Sequence, residues 1–379
     1  MTPDPTELRH RLVDELAVGG KLAEPWREAF LAVPRHAFIP ELVWRHEKDI
    51  AGEHDLVPLR REDDPVGWLE WAYRNGSVAT QIDDGHPTGE ELTGWEISSS
   101  ASMPTVVAEM LVALDAEPGM SVLEIGTGTG YNAALLAHRL GADNITSLEV
   151  DPAVAEHART ALSATGYGPV TVITGDGAHG HLPRAPYDRV LSTAMVRTVP
   201  HPWVTQTRLG GRIVTPWGTP YRSGLLALTV TEPGRAVGGI VGEALFMWLR
   251  EQRIPRFRPS VLGDKSGAVE SSTELHPYHV TGNWHAATAI GIRVPRCQFV
   301  WIGTGDGGTL WLVDQWSRSW ASLHVTDGGS PYTVRQSGTR TLWDDVEAAH
   351  RWWVEKGKPA VGDWRFTVTA DKQQIELVD

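Results

Sequence analysis

The sequence predicts an α/β protein with a doubly wound, Rossmann-like sheet and a C-terminal α+β domain. Three observations predict it. Residues 121–131 join a buried strand (Val122, Leu123, Ile125) to a glycine turn (Gly126, Gly128, Gly130), and a breaker-free helix runs on from Asn132 to Leu140. Further strand-like runs follow at 144–150, 170–173 and 187–193, after Gly210-Gly211, and at 225–231, with a helix from Asp151-Pro152 to about Ala164. Composition then changes: ten of the 17 tryptophans lie beyond residue 245, which marks a second unit.

Length and charge bound the answer. A chain of 379 residues, 41 % hydrophobic, has room for two domains. The expected division is an N-terminal helical region with a substrate-side insertion (1–100), a nucleotide-binding domain (101–240) and an α+β accessory domain (241–379). A formal net charge of −13 argues against nucleic acid as the main partner, because phosphate binding needs a basic surface. The single cysteine, Cys297, excludes an intramolecular disulfide, and its strand-like flanks suit a buried thiol better than a nucleophile. The N-terminus lacks the apolar core of a signal peptide and no apolar run reaches membrane-spanning length, so the expectation is a soluble cytoplasmic chain with no membrane partner. A monomer is favoured.

Residues 5–33 pattern mostly as helix, with Leu8, Leu12, Leu16, Leu22, Trp26, Phe30 and Leu31 on one face and a break at Gly19-Gly20. Val33-Pro-Arg-His-Ala-Phe-Ile-Pro40 punctuates the chain. Residues 47–67 are charged and aperiodic and read as surface loop. Ser77–Gln81 reads as a short strand and Asp83–Glu90 as loop. A serine-rich run, Ser98, Ser99, Ser100 and Ser102, precedes a helix that carries Val106, Val107, Met110, Leu111 and Leu114. Ser102 or a neighbour suits the N-cap, with Pro104 in the first turn. The same hydroxyls and free N–H groups could hold a carboxylate. No Gly-x-Ser-x-Gly surrounds them, so a hydrolase elbow is not indicated.

Ligand chemistry should gather at the carboxyl ends of the strands, against the helix that follows the glycines. Glu149, at the end of the second strand and about twenty residues past the glycines, is placed to bind a ribose diol. Asp176, after the third strand, can accept from an adenine amino group while Gly177 approaches the ring; the alternative is a plain Asx turn. Thr193 ends the fourth strand on the same crevice. The spacing is Gly-x-Gly-x-Gly, not the Gly-x-Gly-x-x-Gly of dinucleotide sites, so a nucleoside cofactor without pyrophosphate is expected, S-adenosyl-L-methionine above all.

Taken together, Val33–Pro40, Ser102-Met-Pro104, Val122–Ala134, Gly175-Asp-Gly177, Ala185-Pro-Tyr-Asp188, Gln206 and Leu209–Gly218 resemble protein-L-isoaspartate (D-aspartate) O-methyltransferases, in that family's order, over roughly residues 5–235. The resemblance implies a class I methyltransferase fold. It implies that Glu124, Gly126, Thr127, Gly128, Thr129, Gly130 and Tyr131 hold the methionyl part of the cofactor, that Glu149 with Val150 binds the ribose, and that Asp176 with Gly177 binds the adenine, Thr193 closing the crevice. It places Ser102, with Ser100 and Ser99, beside the acceptor carboxylate. The chain departs from the family in the Ser100-Ala-Ser102-Met103-Pro104 run, in the insertion from Ile82 to Trp95, and in the region after 240. These departures resemble the branch associated with ribosomal peptide natural products, which implies methylation of an aspartate in a macrocyclic peptide such as a lanthipeptide or graspetide, the ester then closing to a succinimide (aspartimide) or opening to isoaspartate. The repair of isoaspartyl proteins is the alternative, and a peptide-binding module with a weak or inactive catalytic half is another.

In the C-terminal region, Gly242–Pro259 carries Arg250, Arg253, Arg256 and Arg258 and reads as a connection or short helix. Strands are expected at 286–294, 298–302, 309–314 and 320–325, turns at 283–285 and 303–308, a helix at 342–356, and a closing hairpin at 364–369 and 374–378. His276, His279 and His285 have no thiolate or acid to complete a metal set, so no metal is expected.

Overall fold

The structure is a computed structural model and describes residues 3–48, 54–89, 92–254, 267–303, 307–325 and 329–378. The N-terminal region contains helices α1 (Pro5–Val18), α2 (Glu24–Ala32) and, further on, α3 (Pro65–Tyr73). Asp4 caps α1 by accepting from the Thr6 N–H at 2.8 Å. Leu8, Leu12, Leu16, Trp26 and Phe30 are buried together, as their spacing predicts.

The same region also holds a four-stranded antiparallel sheet, which corrects the helical reading of residues 1–100. Its strands are β1 (Leu42–Lys48), β2 (His54–Arg60), β3 (Val78–Ile82) and β4 (Ile97–Ala101), in the order β2-β1-β3-β4. The stretch 47–67, read as loop, therefore supplies one whole strand and the start of a helix. Trp44, Leu56, Ala79 and Ile82 make a small core on one face, while Arg45 and Glu47 interrupt the apolar pattern of β1.

The main sheet has nine strands. After α4 (Pro104–Leu114) come β5 (Val122–Ile125), α5 (Tyr131–Leu140), β6 (Ile145–Glu149), α6 (Pro152–Ala164), β7 (Thr171–Thr174), β8 (Tyr187–Ser192), α7 (His201–Thr205) and β9 (Thr207–Gly218). The meander continues with β10 (Ser223–Glu232) and β11 (Arg235–Gly242). Strands β7, β6, β5, β8 and β9 run parallel side by side. Because β5 is covered on both faces, Val122 joins one core and Leu123 with Ile125 the other. The chain winds outward from β5 to β7 and returns to β8, so the order reverses between β5 and β8, and a crevice opens there at the strand ends.

The region 241–379, expected as one accessory domain, divides in two. Strands β12 (Val269–Thr273), β13 (Gln298–Ile302), β14 (Gly308–Asp314), β15 (Ser319–Val325) and β16 (Tyr332–Ser337) form a separate antiparallel sheet ordered β12-β16-β15-β14-β13. Helices α8 (Pro277–Thr281), α9 (Trp284–Arg293) and α10 (Leu342–Glu355) accompany it. The predicted strand at 286–294 is thus helix α9, started by Asn283, whose side chain accepts from the Ala286 N–H at 3.0 Å. Gly291 in this helix is a packing requirement: a Cβ there would stand 2.4 Å from the Thr219 hydroxyl. The last two strands, β17 (Trp364–Val368) and β18 (Gln373–Leu377), return to the main sheet, β17 pairing with β11 and β18 with β17. The turn expected at 303–308 falls partly outside the described residues, as do Arg256 and Arg258. No helix among the described residues is long and apolar enough to cross a membrane.

Phe366 of β17 is fully buried and meets the Trp217 ring edge-on at 4.7 Å. Phe366→Ala is expected to cost about 3–5 kcal/mol in urea unfolding. Because β17 belongs to the main sheet, the main unfolding transition should shift; an unchanged midpoint would show that the C-terminal strands are energetically separate.

Candidate active site

The crevice at the β5/β8 switch is built by backbone geometry before any side chain contributes. Gly126 has φ +90°, and a Cβ there would stand 2.8 Å from Thr193 Oγ1. Thr193 fastens the two strand ends: its N–H donates to the Ile125 carbonyl at 2.8 Å and its hydroxyl to the Gly126 carbonyl at 2.6 Å. Glu149, at the end of β6, accepts from the Gly128 N–H at 2.9 Å and the Asp151 N–H at 3.1 Å. Burial raises its pKa above the ordinary carboxylate value, opposed by those two N–H groups.

Gly126, Thr127, Gly128, Thr129, Tyr131, Glu149, Val150, Gly177 and Thr193 all line one cavity of about 110 Å³. Three of the expected cofactor residues stand outside it. Gly130 has φ +88° and packs against Ala158 of α6. Asp176 turns its carboxylate back to the Ala178 N–H at 2.9 Å, which is the Asx-turn alternative. Glu124 is fully buried beneath the glycine loop, where it accepts from Asn132 Nδ2 at 2.6 Å and from the Ser147 hydroxyl. It reaches the cavity only through Asn132, which does line it and whose buried Oδ1 has no hydrogen-bond partner among the described residues. Gly177 is fixed twice: a Cβ would collide with Ile125, and its carbonyl accepts from Trp203 Nε1 at 2.8 Å.

The serine run forms the opposite wall. In β4, Ser99 and Ala101 turn inward and are buried, while Ser98 and Ser100 are only half-buried. The Ser99 hydroxyl accepts from Thr80 at 3.3 Å, and Ser98 is bonded to Gln81 and the Asp84 N–H. Ser102 does not cap α4. The N-cap is Met103, without a side-chain bond, and Asn75 Oδ1 accepts from the Thr105 N–H and hydroxyl instead. The hydroxyls of Ser100 and Ser102 make no hydrogen bond among the described residues, and both residues line the small cavity and a second, larger one of about 940 Å³.

Two further features were missed by sequence. The first is Arg35, 1 % exposed, which donates to the Ala72 carbonyl at 2.8 Å and the Ser102 carbonyl at 3.0 Å and lies 5.1 Å from the centre of the Tyr131 ring. The second is a strap, residues 247–253, across the crevice. Met195 after β8 bonds Met247 and Leu249, and Gln252 accepts from the Arg197 and Thr198 N–H groups. Arg253 forms a two-point bond to Asp84 at 2.8 and 3.1 Å, and Arg250 adds a 3.2 Å contact to it. The signal was present as Asp83-Asp84 and the arginine pair, but 169 residues separate the partners. Elsewhere, Cys297 is buried with its thiol pushed up to about 12 by desolvation. His276 caps α8 and His285 accepts from the Val361 N–H at 3.2 Å; among the described residues no group of three or more His, Cys, Asp or Glu stands close enough to hold a metal ion.

The profile of the protein-L-isoaspartate(D-aspartate) O-methyltransferase family matches residues 90–252. A protein-L-isoaspartate O-methyltransferase of Hyperthermus butylicus is 32 % identical over 251 residues, spanning 64 % of this chain and 88 % of that one. Protein-L-isoaspartate O-methyltransferase 2 of Archaeoglobus fulgidus is 34 % identical over 216 residues, 57 % of this chain and 80 % of its own. A solved structure titled protein-L-isoaspartate O-methyltransferase superposes with a TM-score of 0.54 at 21 % identity, covering 97 % of this chain and 99 % of that one. The shared fold therefore takes in the region after 240, where the sequence alone suggested a departure from the family.

Glu124 carries a pH dependence. Burial pushes its pKa from 4.5 up to about 7, so between those values the unfolded chain releases a proton that the folded protein keeps. Stability should fall as pH rises through that window and level off above it. Glu124→Gln should flatten that slope in denaturant unfolding at a series of pH values; equal slopes would contradict the assignment.

Proposed function

This chain belongs to the protein-L-isoaspartate O-methyltransferase family, and we propose that it methylates the free α-carboxylate of an isoaspartyl residue within a polypeptide. It is an S-adenosyl-L-methionine-dependent carboxyl O-methyltransferase. The observation that carries the acceptor assignment is Ser102: its hydroxyl is released from capping and stands on the wall shared by the small and large cavities.

The residues fit the cofactor. Glu149 would accept from the ribose hydroxyls, its carboxylate already oriented by Gly128 and Asp151. The unpartnered Asn132 Oδ1 and the turn at Gly126–Thr129 suit the amino-acid end, and Gly177 offers a flat backbone edge to the base. When bound, S-adenosyl-L-methionine supplies an electrophilic methyl group. The acceptor carboxylate is ionised near neutral pH, so no general base is needed. Ser102 donates one hydrogen bond to the carboxylate and aims its other oxygen at the cofactor cavity; Ser100, on the same side of the cleft, is the second candidate donor. Arg250 and Arg253 line the small cavity with their guanidinium groups paired to Asp84, which restrains both from binding the acceptor carboxylate and dulling it as a nucleophile. The strap covers one side of the small cavity with Met247, Trp248 and Leu249.

A second reading is favoured by the volume of the larger cleft, about 940 Å³, walled by the C-terminal sheet. It would admit a macrocyclic ribosomal peptide methylated at a normal aspartate, whose ester closes to a succinimide. The solved relative that shares the whole fold carries the isoaspartyl name, so the added region does not by itself select this reading.

Mass spectrometry of isoaspartyl peptides, a cyclised peptide and its linear precursor, each with cofactor, separates the two. Unrelated isoaspartyl peptides are expected to gain one methyl group. Exclusive reaction on the cyclised peptide, ending one water lighter, would replace the first reading with the second. Ser102→Ala should lower kcat/KM roughly ten- to a hundredfold, the worth of about 1.5–3 kcal/mol for one bond to a charged group. Unchanged kcat/KM would remove Ser102 from the site.

A further inference from the structure

The larger cleft has an unusual far wall. Ser77, Ser100, Ser102, Met103 and Val106 stand on the catalytic side, and Gln298, Phe299 and Val300 of β13 stand opposite. Consecutive side chains of a strand point to opposite faces of its sheet. Phe299 packs toward one core, its ring 4.8 Å from that of Tyr221, and Val300 packs toward Val313 and Trp320 on the other face. Three consecutive residues can line one cavity only if the strand presents its edge to it. β13 is the terminal strand of its sheet and pairs with β14 alone among the described strands. No backbone hydrogen bond joins residues 299–302 to anything else described. The free edge ends in Trp301 and Ile302, 41 % and 45 % exposed, and Leu245 across the cleft is 81 % exposed. A bare edge beside apolar side chains is a template for another strand.

We propose that the acceptor polypeptide binds as an added strand along the edge of β13 that is free among the described residues, which holds its backbone while the free carboxylate of the isoaspartyl residue reaches Ser102. This rests on the reading that the acceptor is a polypeptide. The occupant follows from continuity: Ser100 and Ser102 line both cavities, so a chain whose carboxylate lies at Ser102 must run on into this cleft. Backbone pairing gives affinity that does not depend on sequence, and the apolar flanks favour substrates with hydrophobic residues at alternate positions.

The test is an N-methyl scan. Backbone amides of an isoaspartyl peptide are methylated one at a time and KM is measured with the wild-type enzyme. Strand addition predicts a period of two: each N-methyl at a paired position raises KM about two- to tenfold, the worth of one net hydrogen bond, and the intervening positions have no effect. Phe299→Pro and Val300→Pro locate the pairing on β13, because neighbouring N–H groups point to opposite sides. The variant whose N–H faces the cleft should keep its fold, with only the stability loss of its missing side chain, and should raise KM for the long peptide far more than for an isoaspartyl tripeptide. A flat or aperiodic scan, or two variants that both fold and both keep wild-type KM, would overturn the proposal. No methylation of any peptide by wild type would instead overturn the functional reading beneath it.

Discussion

A single buried guanidinium holds the site together. Arg35 sits where the N-terminal helices, the end of α3, the end of β4 and the start of α5 converge, without a carboxylate partner among the described residues. Burying a lone cation is costly, and burial indeed lowers the Arg35 pKa. Three carbonyls, on Ala72, Ala101 and Ser102, and the face of Tyr131 offset that cost. The result ties the acceptor side, through the Ser102 backbone, to the cofactor side, through the first residue of the helix after the glycines. Such an arrangement tolerates little displacement, because moving any one carbonyl leaves a buried charge less satisfied.

Around that anchor, the site is assembled from parts distant in sequence. The parallel strands supply the crevice and the glycine turn its floor. The antiparallel N-terminal sheet delivers the serines, and the strap from 247 to 253 closes the top by charge pairing with Asp84. The C-terminal region contributes twice, as a hairpin that completes the main sheet and as a separate sheet that walls the acceptor cleft.

What the sequence made legible was local. The β5 apolar run, the three glycines and the Asn132–Leu140 helix follow from propensity and turn geometry, and all fall in place. Glu149 and Thr193 could be placed on the crevice because strand ends in an α/β sheet converge, whereas Ser102 came from the serine run and the family resemblance. The failures have physical causes. In β1 and β2 charged residues such as Arg45, Glu47, Asp55 and Arg60 interrupt the apolar ones, so the sequence shows no alternation. Helix α9 carries Thr288, Ile290, Gly291 and Ile292, which pattern as strand, and packing on α10 overrides that preference; the Asn283 cap was the available cue. Asp176 obeyed its local Asx turn, and Glu124 was drawn under the loop by Ser147 and Asn132. Arg35 and the strap depend on partners far along the chain, where a single sequence carries no pairing signal.

The claim that Arg35 acts by positioning Ser102 is tested most directly by a double-mutant cycle on methyl transfer, with Arg35→Lys, Ser102→Ala and the pair, alongside cofactor affinity for each. If Arg35 works through Ser102, the double variant should transfer methyl no more slowly than the worse single variant, and Arg35→Lys should lower kcat more than it weakens cofactor binding. Losses that add in full, or an Arg35→Lys enzyme with wild-type kcat, would contradict the account.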